Sequence, residues 1–132
     1  MKKLESRIRK LEAHVQDELD LPASFEPVKI KKKITEKVIE DAVCRYARSK
    51  GFTAEKFSSP NVRAVPDRMM TAFPGLIFFI EFKAPGKKVT PAQARDHERR
   101  RNNGFGVSVI DDIEEGKRVI DDWVNLGRCV AG

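Results

Sequence analysis

Glu81 is the residue most out of place in this chain: it closes the apolar run Leu76-Ile77-Phe78-Phe79-Ile80 and is followed by Phe82 and Lys83. A carboxylate at the end of such a strand is costly to desolvate unless it is paired or holds a cation. Strand alternation puts Glu81 and Lys83 on one face and Phe82 on the other. Asp67, preceded by Pro66, stands just ahead of residues 68–73, which read as the partner of 76–82 in a hairpin. Hairpin pairing then brings Asp67 beside Glu81. Two adjacent carboxylates repel one another unless a divalent cation sits between them. Oxygen-only ligands favour a hard ion, Mg²⁺ or Mn²⁺, over zinc. Such an ion polarises a phosphoryl oxygen and lowers the pKa of an attacking water, while Lys83 positions that water or stabilises the charge developing on the phosphorane. The chemistry these residue types can do is phosphodiester hydrolysis. Taken alone, an Asp followed fourteen residues later by Glu-x-Lys is a weak pattern. Asp67 can equally cap a turn, with Glu81 and Lys83 an exposed edge pair.

The charge distribution strengthens the first reading. The net charge of +6 arises in the middle of the chain, where residues 34–105 hold 14 basic against 8 acidic side chains. A basic field around acidic residues suits a polyanionic substrate. The length of 132 residues allows one domain with a real core. No apolar stretch approaches the ~20 residues that span a bilayer, and the charged start that follows Met-Lys-Lys does not read as a signal peptide. Cys44 and Cys129 lack metal-ligand spacing and read as free thiols in a reducing compartment, which places the protein in the cytoplasm.

The elements that must position these residues follow from periodicity. Residues 1–20 read as an amphipathic helix with Leu4, Ile8, Leu11 and Val15 at heptad-like spacing, and 21–29 as a linker, followed by the basic run Lys29, Lys31, Lys32, Lys33. The spacing predicts a helix over 34–50, with Val38, Ile39, Ala42, Val43, Tyr46 and Ala47 on its apolar face and Gly51 as the stop. Strands follow at 52–58, 68–73 and 76–82, the last covered on both faces. Thr90-Pro91 opens a helix running to residue 103, stopped by Gly104. A buried-type strand at 105–110 comes next, and Asp112 with Glu115 forms a capping box for a last helix bearing Ile113, Val119, Ile120, Trp123 and Val124. Residues 76–110 make a strand–helix–strand unit long enough for a right-handed parallel crossover. The expected fold class is α/β, a mixed β-sheet flanked by helices.

Several of these features occur together in one known family. Val65-Pro66-Asp67-Arg68, the strand into Glu81-Phe82-Lys83-Ala84-Pro85-Gly86-Lys87, Gln93, the stretch from Lys56 to Arg63 and the Gly104-Phe105-Gly106-Val107 turn resemble the VRR-NUC domain, a branch of the PD-(D/E)XK nucleases. The likeness runs from about residue 34 to 124, so residues 1–30 are set apart as a helix and linker and 31–132 as the nuclease-type domain. The resemblance implies a restriction-endonuclease-like core and Mg²⁺- or Mn²⁺-dependent DNA hydrolysis. Carried over by position, Asp67 and Glu81 are metal ligands, joined by the Phe82 carbonyl, with Lys83 the catalytic lysine and Gln93 the helix glutamine that supports the site. A glutamate of the first core helix completes the set; Glu36 and Glu40 both qualify, and Glu40, at the Ile39-Glu40 step, is preferred. His97 departs from the aromatic or apolar residue of many relatives and reads as a local packing variation at an exposed helix position, with contact to a substrate phosphate as the alternative.

Lys56, Arg63, Arg68, Lys87 and Lys88 are the candidate DNA contacts, with Arg95, Arg99, Arg100 and Arg101 clustered on the 91–103 helix. The resemblance implies a stand-alone, homodimeric enzyme acting on branched DNA such as flaps or four-way junctions in replication, repair or recombination, in a bacterial or phage-infected cell. The alternative is a DNA-binding module that keeps the fold without catalysis. A third reading makes the N-terminal helix the working part of an interaction protein.

Overall fold

The computed structural model describes residues 33–131 and, ahead of them, Lys3. The helix and linker expected over 1–30 lie outside the described residues. A four-stranded mixed sheet is built around one strand, β3 (Leu76–Phe82). β2 (Arg68–Ala72) pairs with it antiparallel, and β1 (Thr53–Lys56) pairs antiparallel with β2. β4 (Gly106–Ile110) lies parallel on the other side, giving the order β1-β2-β3-β4. Among the described residues three helices complete it: α1 (Glu36–Ser49), α2 (Pro91–Asn102), which connects β3 to β4, and α3 (Ile113–Ala131). This is the α/β arrangement expected from the element order. No helix among the described residues is long and apolar enough to cross a membrane.

The parity of β3 divides the sheet into two unlike faces. Leu76, Phe78, Ile80 and Phe82 belong to one core cluster with Ile39, Val43 and Ala47 of α1, Met70 of β2, Ile110 of β4 and Ile120 of α3. Phe78 stacks on Trp123 at 4.5 Å and meets Phe52 edge-on at 5.5 Å. α3 crosses close to α1 at Gly116, where any Cβ would strike Val43 and Ile110. Phe79, on the opposite face, is equally buried but outside that cluster. It packs on Phe57 and Phe105, and the Arg100 guanidinium of α2 lies 4.9 Å from its ring centre.

Differences from the expected elements are local and have causes. α1 starts at Glu36 because Thr35 serves as its N-cap, accepting from the Val38 amide at 3.3 Å. The packed face of α1 is centred on Ile39, Val43, Cys44 and Ala47, which turns Val38, expected to pack, to 47% exposure. β1 stops at Lys56, although the Phe57 amide still donates to the Asp67 carbonyl at 3.0 Å. Gly51 and Gly104, the expected helix stops, adopt φ of 94° and 92°, in the left-handed region that only glycine enters freely. Asp112 caps α3 by accepting from the Glu115 amide at 2.9 Å.

Candidate active site

Strand pairing places Asp67. The register joins Arg68 to Ile80, so the next pair outward sets Asp67 opposite Glu81. Side chains directly across an antiparallel pair share a face. Asp67 therefore joins Glu81 and Lys83, while Arg68 falls on the core side with Ile80. The Asp67 carboxylate accepts from the Phe82 amide through Oδ2 at 2.8 Å, which ties it to the strand carrying Glu81. The Phe82 ring, fully buried on the other face, anchors the peptide between Glu81 and Lys83. The Lys83 amide donates to the Ile110 carbonyl at 2.9 Å, so this end of β3 is held by β4 as well.

Glu81 is 2% exposed and meets three side chains. The Lys83 ammonium lies 3.5 Å from Oε1. Gln93 donates to the same oxygen through Nε2 at 2.9 Å. Its own Oε1 accepts from the Thr90 amide at 2.9 Å, while the Thr90 hydroxyl accepts from the Gln93 amide at 3.2 Å. A backbone N–H can only donate, so this capping box forces the Gln93 amide to present its NH₂ to Glu81. Gln93 thus starts the helix and orients the carboxylate with the same side chain. The third neighbour is His97, whose Nε2 lies 4.0 Å from Glu81 Oε2; neither atom has a hydrogen-bond partner.

Burial pushes the Glu81 carboxyl up to about 7; the nearby charge of Asp67 acts in the same direction, Lys83 pulls it partly back, and Glu36 adds a smaller upward push. The two α1 glutamates are therefore separated by the fold. Glu40, preferred from the sequence, gives its Oε1 to the Arg68 guanidinium at 2.7 Å in a largely buried ion pair, and Glu36 is the one whose charge reaches Glu81. Among the described residues, no three His, Cys, Asp or Glu side chains gather at metal-ligand spacing.

The candidate DNA contacts also divide. Lys56, Arg63, Lys87 and Lys88 are exposed. Arg68 is not: at 8% exposure it bonds Glu40 and the Ala54 carbonyl, so its expected DNA contact is replaced by a structural role. Adjacency to Asp67 in the chain means opposite faces in a strand. On α2, Arg95 is exposed, while Arg99 and Arg100 pair with Asp96 and Arg101 donates to the Val107 carbonyl at 2.9 Å. His97 corrects another expectation, being 1% exposed. Burial and the positive charge of Arg101 hold its imidazole below the usual range, against Asp96. Its four-residue spacing from Gln93, one helical turn, is the sequence signal that could have placed it on the inner face. Asp111 was not anticipated; it accepts from the Gly86 amide at 3.2 Å and tethers the loop after Lys83.

A cleft of about 630 Å³ lined by Lys33, Ile34, Thr35, Glu36, Ala84, Pro85 and Lys87 adjoins this end of β3. A second cavity of about 340 Å³, bordered by Phe52, Phe73, Leu76, Val124 and Gly127 among others, contains none of these polar groups.

Asp67 beside the buried Glu81, a lysine two residues on and a glutamine reaching in from the crossover helix make up a candidate nuclease site. Known proteins agree. The chain is 45% identical over 78 residues to "Putative nuclease p44" of Acyrthosiphon pisum secondary endosymbiont phage 1, covering 59% of this chain and 84% of that one. A solved structure described as a VRR_NUC domain superposes with a TM-score of 0.62 at 26% identity, covering 67% of this chain and 97% of that one. A second, a VRR_NUC domain protein, shares the fold at a TM-score of 0.59 and 22% identity, over 73% and 93% of the two chains. No family model matches the sequence. The chain belongs to the VRR-NUC nuclease family.

Proposed function

We propose that this protein is a Mg²⁺- or Mn²⁺-dependent DNA endonuclease of the PD-(D/E)XK type, selective for branched DNA and working as a homodimer in the cytoplasm of a bacterial or phage-infected cell. The observation that carries this reading is the Asp67–Glu81–Lys83–Gln93 constellation around one buried carboxylate. A divalent cation fits it on two grounds: Glu81 Oε2 is buried without a partner, and the donors are oxygen atoms. Asp67, Glu81 and the Phe82 carbonyl would hold the ion. Two carboxylates suffice for Mg²⁺, which keeps several of its waters. Glu36 is the better candidate than Glu40 for the α1 contribution, because Glu40 is engaged by Arg68.

When bound, the cation supplies Lewis-acid polarisation of a phosphoryl oxygen and activation of the attacking water. Lys83 holds a positive charge beside Glu81, where it orients the nucleophile and stabilises negative charge developing on the phosphorane. Gln93 keeps the Glu81 carboxylate in one orientation. Asp67, bonded to the Phe82 amide, cannot swing away from β3. Lys56, Arg63, Lys87 and Lys88 carry exposed positive charge for the phosphate backbone.

The test is a cleavage panel over duplex, flap, splayed and four-way DNA with Mn²⁺, with Mg²⁺ and with EDTA, run beside Lys83→Ala. Metal-dependent cuts in branched substrates, absent in the variant, are expected. Binding of DNA without any cleavage would favour the non-catalytic module, and full activity of Lys83→Ala would overturn the site assignment. Light scattering of the intact chain checks the homodimer.

A further inference from the structure

α2 buries two residues, Asp96 and His97, and neither is apolar. Asp96 is accounted for: its two oxygens accept from Arg99 at 2.5 Å and Arg100 at 2.8 Å. His97 is not. Its Nε2 is buried without a partner and faces Glu81 Oε2, also without a partner, across 4.0 Å. One turn earlier on the same face, Gln93 already donates to the other oxygen of that carboxylate. A buried histidine on a helix is usually packing against apolar neighbours, but the atom opposite this one is a carboxylate oxygen. Leaving two buried polar atoms unpaired is costly, and one hydrogen bond between them satisfies both.

We propose that His97 is a positioning residue for Glu81: closing the 4.0 Å gap lets its Nε2–H hold Oε2 while Gln93 holds Oε1, so α2 sets the plane of the carboxylate that binds a divalent cation. The proposal rests on the metal-dependent reading above. An ionised carboxylate only accepts, so the imidazole carries its proton on Nε2, and each carboxylate oxygen keeps a second lone pair for the cation. Hydrogen-bond partners standing behind a metal ligand commonly account for about 10–100-fold in metal affinity or activity.

The experiment is Mn²⁺ titration calorimetry on the intact chain, with melting curves and cleavage rate against Mn²⁺ concentration in parallel, for wild type, His97→Gln, His97→Asn and His97→Leu. Gln carries a donor at the reach of Nε2; Asn carries one that falls short; Leu fills the space without a donor. Asn and Leu are expected to weaken Mn²⁺ binding about 10–100-fold and to shift the half-saturating concentration for cleavage by the same factor, with Gln close to wild type. A purely structural role would lower the melting temperature and leave Mn²⁺ affinity alone. Wild-type affinity in Asn and Leu, or a loss in Gln as large as in Asn, would overturn the proposal. If His97→Leu does not fold, the Gln and Asn pair decides. Normal binding by wild type with unaffected variants defeats this proposal alone, whereas no Mn²⁺ binding by wild type defeats the metal-dependent reading with it.

Discussion

The two faces of β3 are built from the same seven-residue strand and obey opposite rules. On the even-numbered face, Phe78, Ile80 and Phe82 are fully buried among apolar side chains of α1, β2 and α3, and the buried Arg68 there is paired with Glu40. On the odd-numbered face, Phe79 is packed just as closely, but Glu81 next to it is buried among a lysine, a glutamine and a histidine. The helices make the same contrast. α1 and α3 bury apolar stripes, while α2 buries Asp96 and His97. The difference teaches that the first face holds the strand rigid so that the second can hold a carboxylate in a state it would not otherwise keep. The cost of burying Glu81 is met by the packing one residue away.

Substitutions should separate the two roles. Phe78→Ala is expected to cost about 3–5 kcal/mol in urea unfolding while the remaining folded molecules cleave at the wild-type rate. A matching loss of kcat in that folded fraction would show that the faces are not independent. Lys83→Ala is expected to do the reverse, lowering kcat by about 10²–10³-fold with little change in melting temperature.

The next effect lies in pH. Without divalent cation, Glu81 keeps its proton up to about pH 7 when folded but loses it near its ordinary value of 4.5 when unfolded. Between those values the native state binds more protons, so its contribution is fully present below pH 4.5 and is lost as pH rises through 7. The loss amounts to about 3 kcal/mol at most. Urea unfolding in EDTA should show this decline for wild type, and Glu81→Gln should remove it. A variant with an unchanged pH profile would mean that Glu81 is not the titrating group.

Glu40→Gln and Glu36→Gln sharpen the comparison on α1. Breaking the charge-assisted bond from Arg68 to Glu40 should cost about 1.5–3 kcal/mol of stability, with activity retained, whereas Glu36→Gln should weaken Mn²⁺ binding and leave melting unchanged. The reverse pattern would return Glu40 to the site. The smallest effect belongs to the exposed lysines. Lys87→Ala should reduce the salt dependence of DNA binding by about one phosphate contact and leave stability as it is.

Much of the molecule is legible in the sequence because its elements carry their own punctuation. Thr90-Pro91 starts α2, Gly51 and Gly104 stop helices, and the apolar run ending at Glu81 announces a strand with an expensive residue at its end. Local rules of this kind act within a few residues. Arg68 shows where they give out: it is adjacent to Asp67, yet the pairing of Arg68 with Ile80 puts it on the opposite face and in the reach of Glu40, twenty-eight residues earlier. Its positive charge read as a nucleic-acid contact because burial is decided by what covers a face, which a strand does not encode by itself.

Alone, then, the sequence marked the candidate groups for the chemistry. Asp67, Glu81, Lys83 and Gln93 follow from alternation, hairpin pairing and a family pattern. Tertiary structure decided that Glu40 is engaged by Arg68, that Arg68 is a strut, and that His97 is buried against Glu81 Oε2. These depend on how helices are rotated and seated on the sheet, which is the joint outcome of packing by residues far apart in the chain.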